Sequence, residues 1–284
     1  MSKRPYDFLV TEKEPLLYLE ASILCMDDGF LTVKSGKDGI RTIAPAGILI
    51  LLLGAGTSIT QEAAIFASAH DMQIAFARGR CNVHSVFMSG RYQDPQPICN
   101  QVKLVETSKL AVAKELLKLR LLRSNEPAES ISAAMEIDSL VNLVAWEGRW
   151  AKGVYKEWAL KTKTSFRRDF DAADSVNAKL NILNNSLYSV CAAVCLSCGL
   201  HPSVGLLHGY TRRGGLAFDL ADVFKNQLSL PIAFDPAVSG ARDSMYALAK
   251  KLRANKSAVV KSMVRICLRI GGQHDDISWE SCAK

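Results

Sequence analysis

A chain of 284 residues, 49% apolar and 22% charged, has the composition of an ordinary folded protein. That excludes a disordered or fibrous polypeptide and leaves room for two unequal domains. Its 35 Lys and Arg outnumber its 28 Asp and Glu for a formal charge of +7, an excess that favours a polyanion such as nucleic acid.

The N-terminal "MSKRPYDFLVTEKEP" scatters charge where a signal peptide would need an apolar stretch. The most apolar run, "ILILLL" from Ile48 to Leu53, falls far short of the roughly 20 residues of a membrane span. The expectation is a cytoplasmic protein with no membrane attachment, whose eight cysteines are free thiols.

From Leu16 to about Gly90 the chain reads as short apolar segments: "LLYLEASILCM", "GFLTVKS", "GIRTIA", "ILILLL", "MQIAFA" and "NVHSVFM". Gly and Asp signals separate most of them, as expected for strands of a small sheet or sandwich. The "DDG" at Asp27 to Gly29 predicts a hairpin turn, and one amphipathic helix is predicted over Thr60 to His70. The "GAGT" at Gly54 to Thr57 lacks both a GxGxxG frame and a Walker lysine, so it reads as a turn.

After "QDPQP" the period becomes helical and remains so. The predicted class is therefore α+β, with a β-rich domain over residues 1–92 followed by a larger all-α domain over 93–284.

Within the helical part, Cys191, Cys195 and Cys198 form CxxxCxxC, a spacing that can hold an iron-sulfur cluster, but inside an apolar helix it reads as core. The same face carries Asp174, Asn177, Asn181, Asn184 and Tyr188. Asn and Asp are poor helix-interior residues, so this stripe suggests the wall of a cleft. Glu147 breaks the apolar side of another helix, where a carboxylate either pairs with an arginine or binds a cation. In "GLLHGYTRRGGLAFDLADVFK", His208 precedes a helix whose Asp219 and Asp222 either converge on one point or complement the helix dipole. Between Ser244 and Gln273 lie seven cations and no acid, Lys250 and Arg253 among them, a run that either favours a polyanion or is a solvated helix face.

Together these segments resemble the CRISPR adaptation integrase, the larger of the two proteins shared by spacer-acquisition machineries. "EGRWAKGVY" is similar to that family's glutamate motif, "DSVNAKLNILNNSLYSVCAAVCLSCGLHPSVGLLH" to its Asp-x-x-Asn helix, tyrosine and histidine loop, and "LAFDLADVFK" to its closing Asp-x-x-Asp helix. "LLLGAGTSITQEA" and "LHGYTRRGGLAFDLAD" look most like the type I-F branch, for which the chain is short between the β domain and the glutamate helix.

The resemblance implies a metal-dependent DNA integrase and endonuclease. Glu147, His208 and Asp222 would hold Mg²⁺ or Mn²⁺, with Asp219 supporting them or sharing the acidic pocket, and Tyr188 would position the scissile strand. Arg212 and Arg213 would hold DNA phosphates, joined by Arg149, Lys152, Lys250 and Arg253. It further implies a homodimer formed through the β domain, double-stranded DNA as substrate (protospacer and CRISPR repeat), and a ferredoxin-like partner that can be fused to a helicase-nuclease.

Overall fold

The computed structural model describes residues 11–44, 47–78, 82–86, 94–172, 174–208, 215–273 and 277–283. Among the described residues eight strands come first: β1 (Leu17–Leu19), β2 (Ser22–Asp27), β3 (Phe30–Ser35), β4 (Gly39–Ile43), β5 (Ile50–Leu53), β6 (Ser58–Ile59), β7 (Gln73–Arg78) and β8 (Asn82–Val86). The helix α1 (Gln61–Ala69) lies between β6 and β7, where the sequence predicts it, and the Thr60 hydroxyl caps its start by accepting from Ala63 N at 3.3 Å.

The strands form two four-stranded sheets. One, ordered β4-β3-β2-β6, is built on the β2–β3 hairpin, whose turn residues Asp28 and Gly29 both take positive φ (47° and 79°) as the "DDG" signal requires. The other, ordered β1-β5-β7-β8, pairs β1 with β5 and β5 with β7 in parallel. Its central strand β5 is buried on both faces, which is why "ILILLL" shows no alternation. Leu51 and Leu53 face the core between the sheets with Leu24, Leu31 and Ile74, while Ile50 and Leu52 join the core of the helices.

The helical part comprises α2 (Gln96–Thr107), α3 (Lys109–Arg123), α4 (Ala128–Met135), α5 (Leu140–Lys161), α6 (Ser175–Ser197), α7 (Gly215–Ala233), α8 (Gly240–Ala254), α9 (Lys256–Ile270) and α10 (Trp279–Ala283). The helical run after "QDPQP" is interrupted at Ser108, whose φ of −139° breaks α2 from α3, and between Met135 and Leu140.

The helices α6 and α7 lie along one another at the centre. By length and composition α6 could cross a membrane, but 72% of its most apolar window is buried inside the fold, as in a core helix. Helix α8 ties helices to sheet through Tyr246 against Tyr18 (5.0 Å), Arg242 to Glu20 (2.8 Å) and Arg253 to Glu14 (2.9 Å).

Candidate active site

The site is assembled where the loop before α7 meets its first turns. Gly205 and Gly215 lie backbone against backbone: a Cβ on Gly205 would stand 2.6 Å from Gly215 Cα, so only glycine allows this approach. The contact brings residues 206–208 over Asp219. That carboxylate accepts from Leu206 N (2.6 Å) and Leu207 N (3.0 Å) through Oδ2, and from His208 N (3.0 Å) through Oδ1. Its Oδ1 also lies 2.6 Å from His208 Nδ1. A carboxylate only accepts, so Nδ1 carries a proton, and the ring's other nitrogen, Nε2, faces Asp222 Oδ2 at 3.6 Å. Asp219 is thus fully engaged in shaping the loop and orienting the imidazole. Both of its oxygens are occupied by residues 206–208.

Opposite His208, α5 supplies Glu147 and α3 supplies Arg120. The Arg120 guanidinium pairs closely with Glu147 Oε1, lies 3.6 Å from Asp222 Oδ2 and stacks 4.8 Å from the Trp150 ring. Lys225, one turn after Asp222, pairs with Asp222 Oδ1 and donates to Tyr188 Oη at 2.6 Å. Tyr188 is half-buried on α6, 4.2 Å from the Phe218 ring. Glu147, His208 and Asp222 are therefore drawn together from three separate parts of the chain, each buried, the two acids beside Arg120 and the histidine beside Asp219 and Asp222.

Burial alone would raise the Asp222 carboxyl, but Lys225, Arg120 and His208 outweigh it and hold it down at about 2. Burial likewise disfavours the charged forms of Lys225 and Arg120. Asp222 and Tyr188 reverse this for Lys225, and Asp222 and Glu147 for Arg120, so both stay protonated.

The structure brings together Glu147, His208, Asp219, Asp222 and Tyr188, which the sequence singles out, and adds Arg120 and Lys225, which it does not. Lys225 carried a usable signal, its i,i+3 spacing from Asp222. Arg120 carried none, because its partners lie 27 and more residues along the chain.

The expected DNA-contacting cations fare differently. Arg149, Lys152 and Lys250 are exposed, Arg253 reaches Glu14, and Arg212 and Arg213 lie outside the described residues. The polar stripe on α6 is not a cleft wall along its first half. Asp174 caps the helix, and Asn177 and Asn181 bind Arg168 (2.8 and 2.6 Å) and the backbone of residues 167–170. A covering loop, absent from any periodicity argument, accounts for the difference. Cys191, Cys195 and Cys198 are buried free thiols in the helical core.

The family model for CRISPR associated protein Cas1 matches residues 17–235. The chain belongs to the Cas1 family. Among relatives, "CRISPR-associated endonuclease Cas1 2" of Chlorobaculum tepidum is 26% identical over 233 residues, 79% of this chain and 75% of its own length. Two solved structures share the fold. "Crystal structure of TtCas1-DNA complex" is 21% identical with a TM-score of 0.71, covering 90% of each chain. "Casposase bound to integration product" is 15% identical with a TM-score of 0.76, covering 93% of this chain and 92% of its own.

Among the described residues no three His, Cys, Asp or Glu side chains already form a metal-binding group, since Arg120 stands between Glu147 and Asp222. The donor chemistry nonetheless fits a hard divalent cation: two carboxylates and an imidazole whose Nδ1–H is fixed on a carboxylate, the arrangement that orients metal-binding histidines. Asp222 Oδ1, paired with Lys225, accepts no well-aligned hydrogen bond although it is buried, so it has coordinating capacity in reserve.

Proposed function

We propose that this protein is a divalent-metal-dependent DNA integrase and endonuclease of spacer acquisition, which inserts short foreign DNA fragments into a CRISPR array. The observation that carries the reading is the convergence of Glu147, His208 and Asp222, with His208 locked by Asp219. Glu147, His208 Nε2 and Asp222 would hold Mg²⁺ or Mn²⁺, which polarises a phosphodiester and stabilises charge developing during in-line attack.

The attacking group is a DNA 3′-hydroxyl. Its oxygen forms the new bond to phosphorus, the target strand's bond from phosphorus to its 3′-oxygen breaks, and the hydroxyl proton is lost while the leaving oxygen gains one. Water in place of the 3′-hydroxyl gives hydrolysis. The protonated Lys225 and the Tyr188 hydroxyl it bonds provide donors at the edge of this pocket, suited to a scissile-strand oxygen. Arg149 and Lys152, exposed on the helix that carries Glu147, together with Lys250, Arg253, Arg212 and Arg213, would hold phosphates without reading sequence.

Two copies would join the two ends of one fragment, which favours a two-fold dimer through the β domain. On the β4-β3-β2-β6 sheet, exposed Ile23 and Ile40 flank Lys34 in register, and Phe30 is 62% exposed; this apolar face supports such a contact. The resemblance adds a ferredoxin-like adaptation partner, fused to a helicase-nuclease in the type I-F branch, and a cytoplasmic setting. One observation favours a second reading, a non-catalytic DNA-binding scaffold: the acids already have Arg120 and Lys225 as counter-ions.

A joining assay separates the readings. Supercoiled plasmid, a short DNA with free 3′-ends, Mn²⁺ and the partner are expected to yield half-site products. A blocked 3′-hydroxyl, Glu147→Ala or His208→Ala should abolish them. Joining that persists in Glu147→Ala or His208→Ala overturns the metal assignment, and DNA binding that survives chelator without any strand chemistry favours the scaffold.

A further inference from the structure

Arg120 is the least expected member of the site: a buried guanidinium in contact with two acids that the reading above assigns to a metal ion. Three carboxylates (Glu147, Asp219, Asp222) meet two cations (Arg120, Lys225) here, leaving one negative charge in a pocket largely shut off from water. A divalent ion added while the guanidinium stays on the carboxylates would bring like charges together in a low dielectric. The acids can hold one or the other, not both in the same place.

The structure also offers the guanidinium a second berth. Arg120 Nε and Asn184 Oδ1 are both buried without a hydrogen-bond partner, a donor and an acceptor that each lack what the other supplies. Both residues line one void of about 10 Å³, bounded also by Lys225, Tyr155 and Asn226. That is close to the least space a water needs, and Arg120 already forms part of its wall. A turn of the Arg120 side chain toward this shared void is the movement that would carry the guanidinium from the carboxylates to Asn184. Asn184 stands on the α6 face one turn before Tyr188, the one asparagine of that stripe not engaged by the 167–170 loop.

We infer that Arg120 is a built-in stand-in for the metal, pairing with Glu147 and Asp222 in the metal-free protein and turning to Asn184 Oδ1 when a divalent ion takes the carboxylates. Arg120 is then a positioning residue that sets metal affinity: it keeps the acids assembled and compensated without the ion and competes with the ion for them. The inference rests on the metal-dependent reading, and its test reads binding directly, apart from catalysis.

Mn²⁺ affinity of the full chain is measured by loss of the free-ion electron paramagnetic resonance signal, for the unmodified protein, Arg120→Met and Asn184→Leu. Charges within a few ångströms commonly shift an ionisation by 1–3 units, so Arg120→Met is expected to bind Mn²⁺ at least ~tenfold more tightly. Asn184→Leu, which removes the second acceptor, is expected to bind it several-fold more weakly. Should Arg120→Met be unfolded without metal, Mn²⁺ is expected to fold it at concentrations below those that half-saturate the unmodified protein. Affinity in Arg120→Met equal to or weaker than that of the unmodified protein, or no metal rescue of an unfolded Arg120→Met, overturns the stand-in and leaves the metal site intact. Absence of Mn²⁺ binding in all three proteins overturns the metal reading itself, and the stand-in with it.

Discussion

Asp219 lends itself to a sharp test because one buried carboxylate performs two tasks. It accepts three backbone N–H groups at 2.6–3.0 Å and fixes the His208 proton at 2.6 Å. In Asp219→Asn the amide oxygen can replace Oδ1, preserving the bonds from His208 N and Nδ1–H. The amide nitrogen then replaces Oδ2, so a donor faces the N–H groups of Leu206 and Leu207. Each buried N–H left unpaired costs about 1–3 kcal/mol, which puts the loss near 4 kcal/mol for the two. At roughly 2–4 °C per kcal/mol for chains of this size, calorimetry should find the midpoint lowered by about 8–16 °C. The loop that presents His208 is what loosens, so Mn²⁺ affinity should fall about 10–100-fold, as when the orienting partners of metal-binding histidines are removed. A midpoint within about 2 °C of the unmodified protein, with Mn²⁺ affinity unchanged, would refute the assignment of Asp219 as the residue that builds the loop.

Gly205→Ala should damage the same loop from its other end, because the new Cβ would meet Gly215 Cα at 2.6 Å and neither backbone can yield. A loss of about 1–3 kcal/mol in denaturant unfolding is expected, with faster amide exchange at residues 206–208. Acid should destabilise the protein through Asp222. Its folded-state pKa of about 2 lies below the ordinary 3.8, so the stability it contributes is present above pH 4 and lost as pH falls toward 2. Replacing Asp222 with Asn should flatten that part of the stability profile, seen in urea midpoints between pH 5 and pH 2. Arg149 and Lys152 are exposed, so the double alanine variant should fold normally. If both meet phosphates, the slope of log affinity against log salt for duplex DNA should become shallower by about 1.8, from about 0.9 per contact.

How much of this was legible in the sequence depended on whether the signal was local. The β2–β3 hairpin followed from "DDG", and α1 from the helical pattern over Thr60 to His70, since turn chemistry and helical period are both read over a few neighbouring residues. Asp219 and Asp222 were recognisable on one helix, yet their division of labour was not. That depends on a glycine pair ten residues apart that lets the loop fold back, which only the folded backbone reveals. The asparagine stripe of α6 was visible as a polar face but misread as a cleft wall, because periodicity shows that a face is polar and not what covers it. In this fold Arg168 covers it, held by Asn177 and Asn181. The two strand-and-helix cores were equally hidden: nothing in "ILILLL" says that alternate side chains serve different neighbours.

Arg120 shows why charge is the part of a site least accessible to sequence reasoning. Its identity in "KLRLLR" resembles that of any basic helix residue, and Arg123 three positions later is also buried, but for a different purpose: it donates to Ala258 O and Cys282 O and stacks on Phe224, holding the C-terminal segment. Only the acids that surround each guanidinium distinguish the two. Burial lowers the pKa of Arg123, whereas Asp222 and Glu147 raise that of Arg120 despite its deeper burial. A buried carboxylate pair is tolerated in a fold only with compensating positive charge. Arg120 and Lys225 supply that charge from the chain itself, so the acid cluster can fold without a bound ion. On the proposed reading, a divalent ion would compete with Arg120 for Glu147 and Asp222, and Asn184 would set how easily the guanidinium gives way.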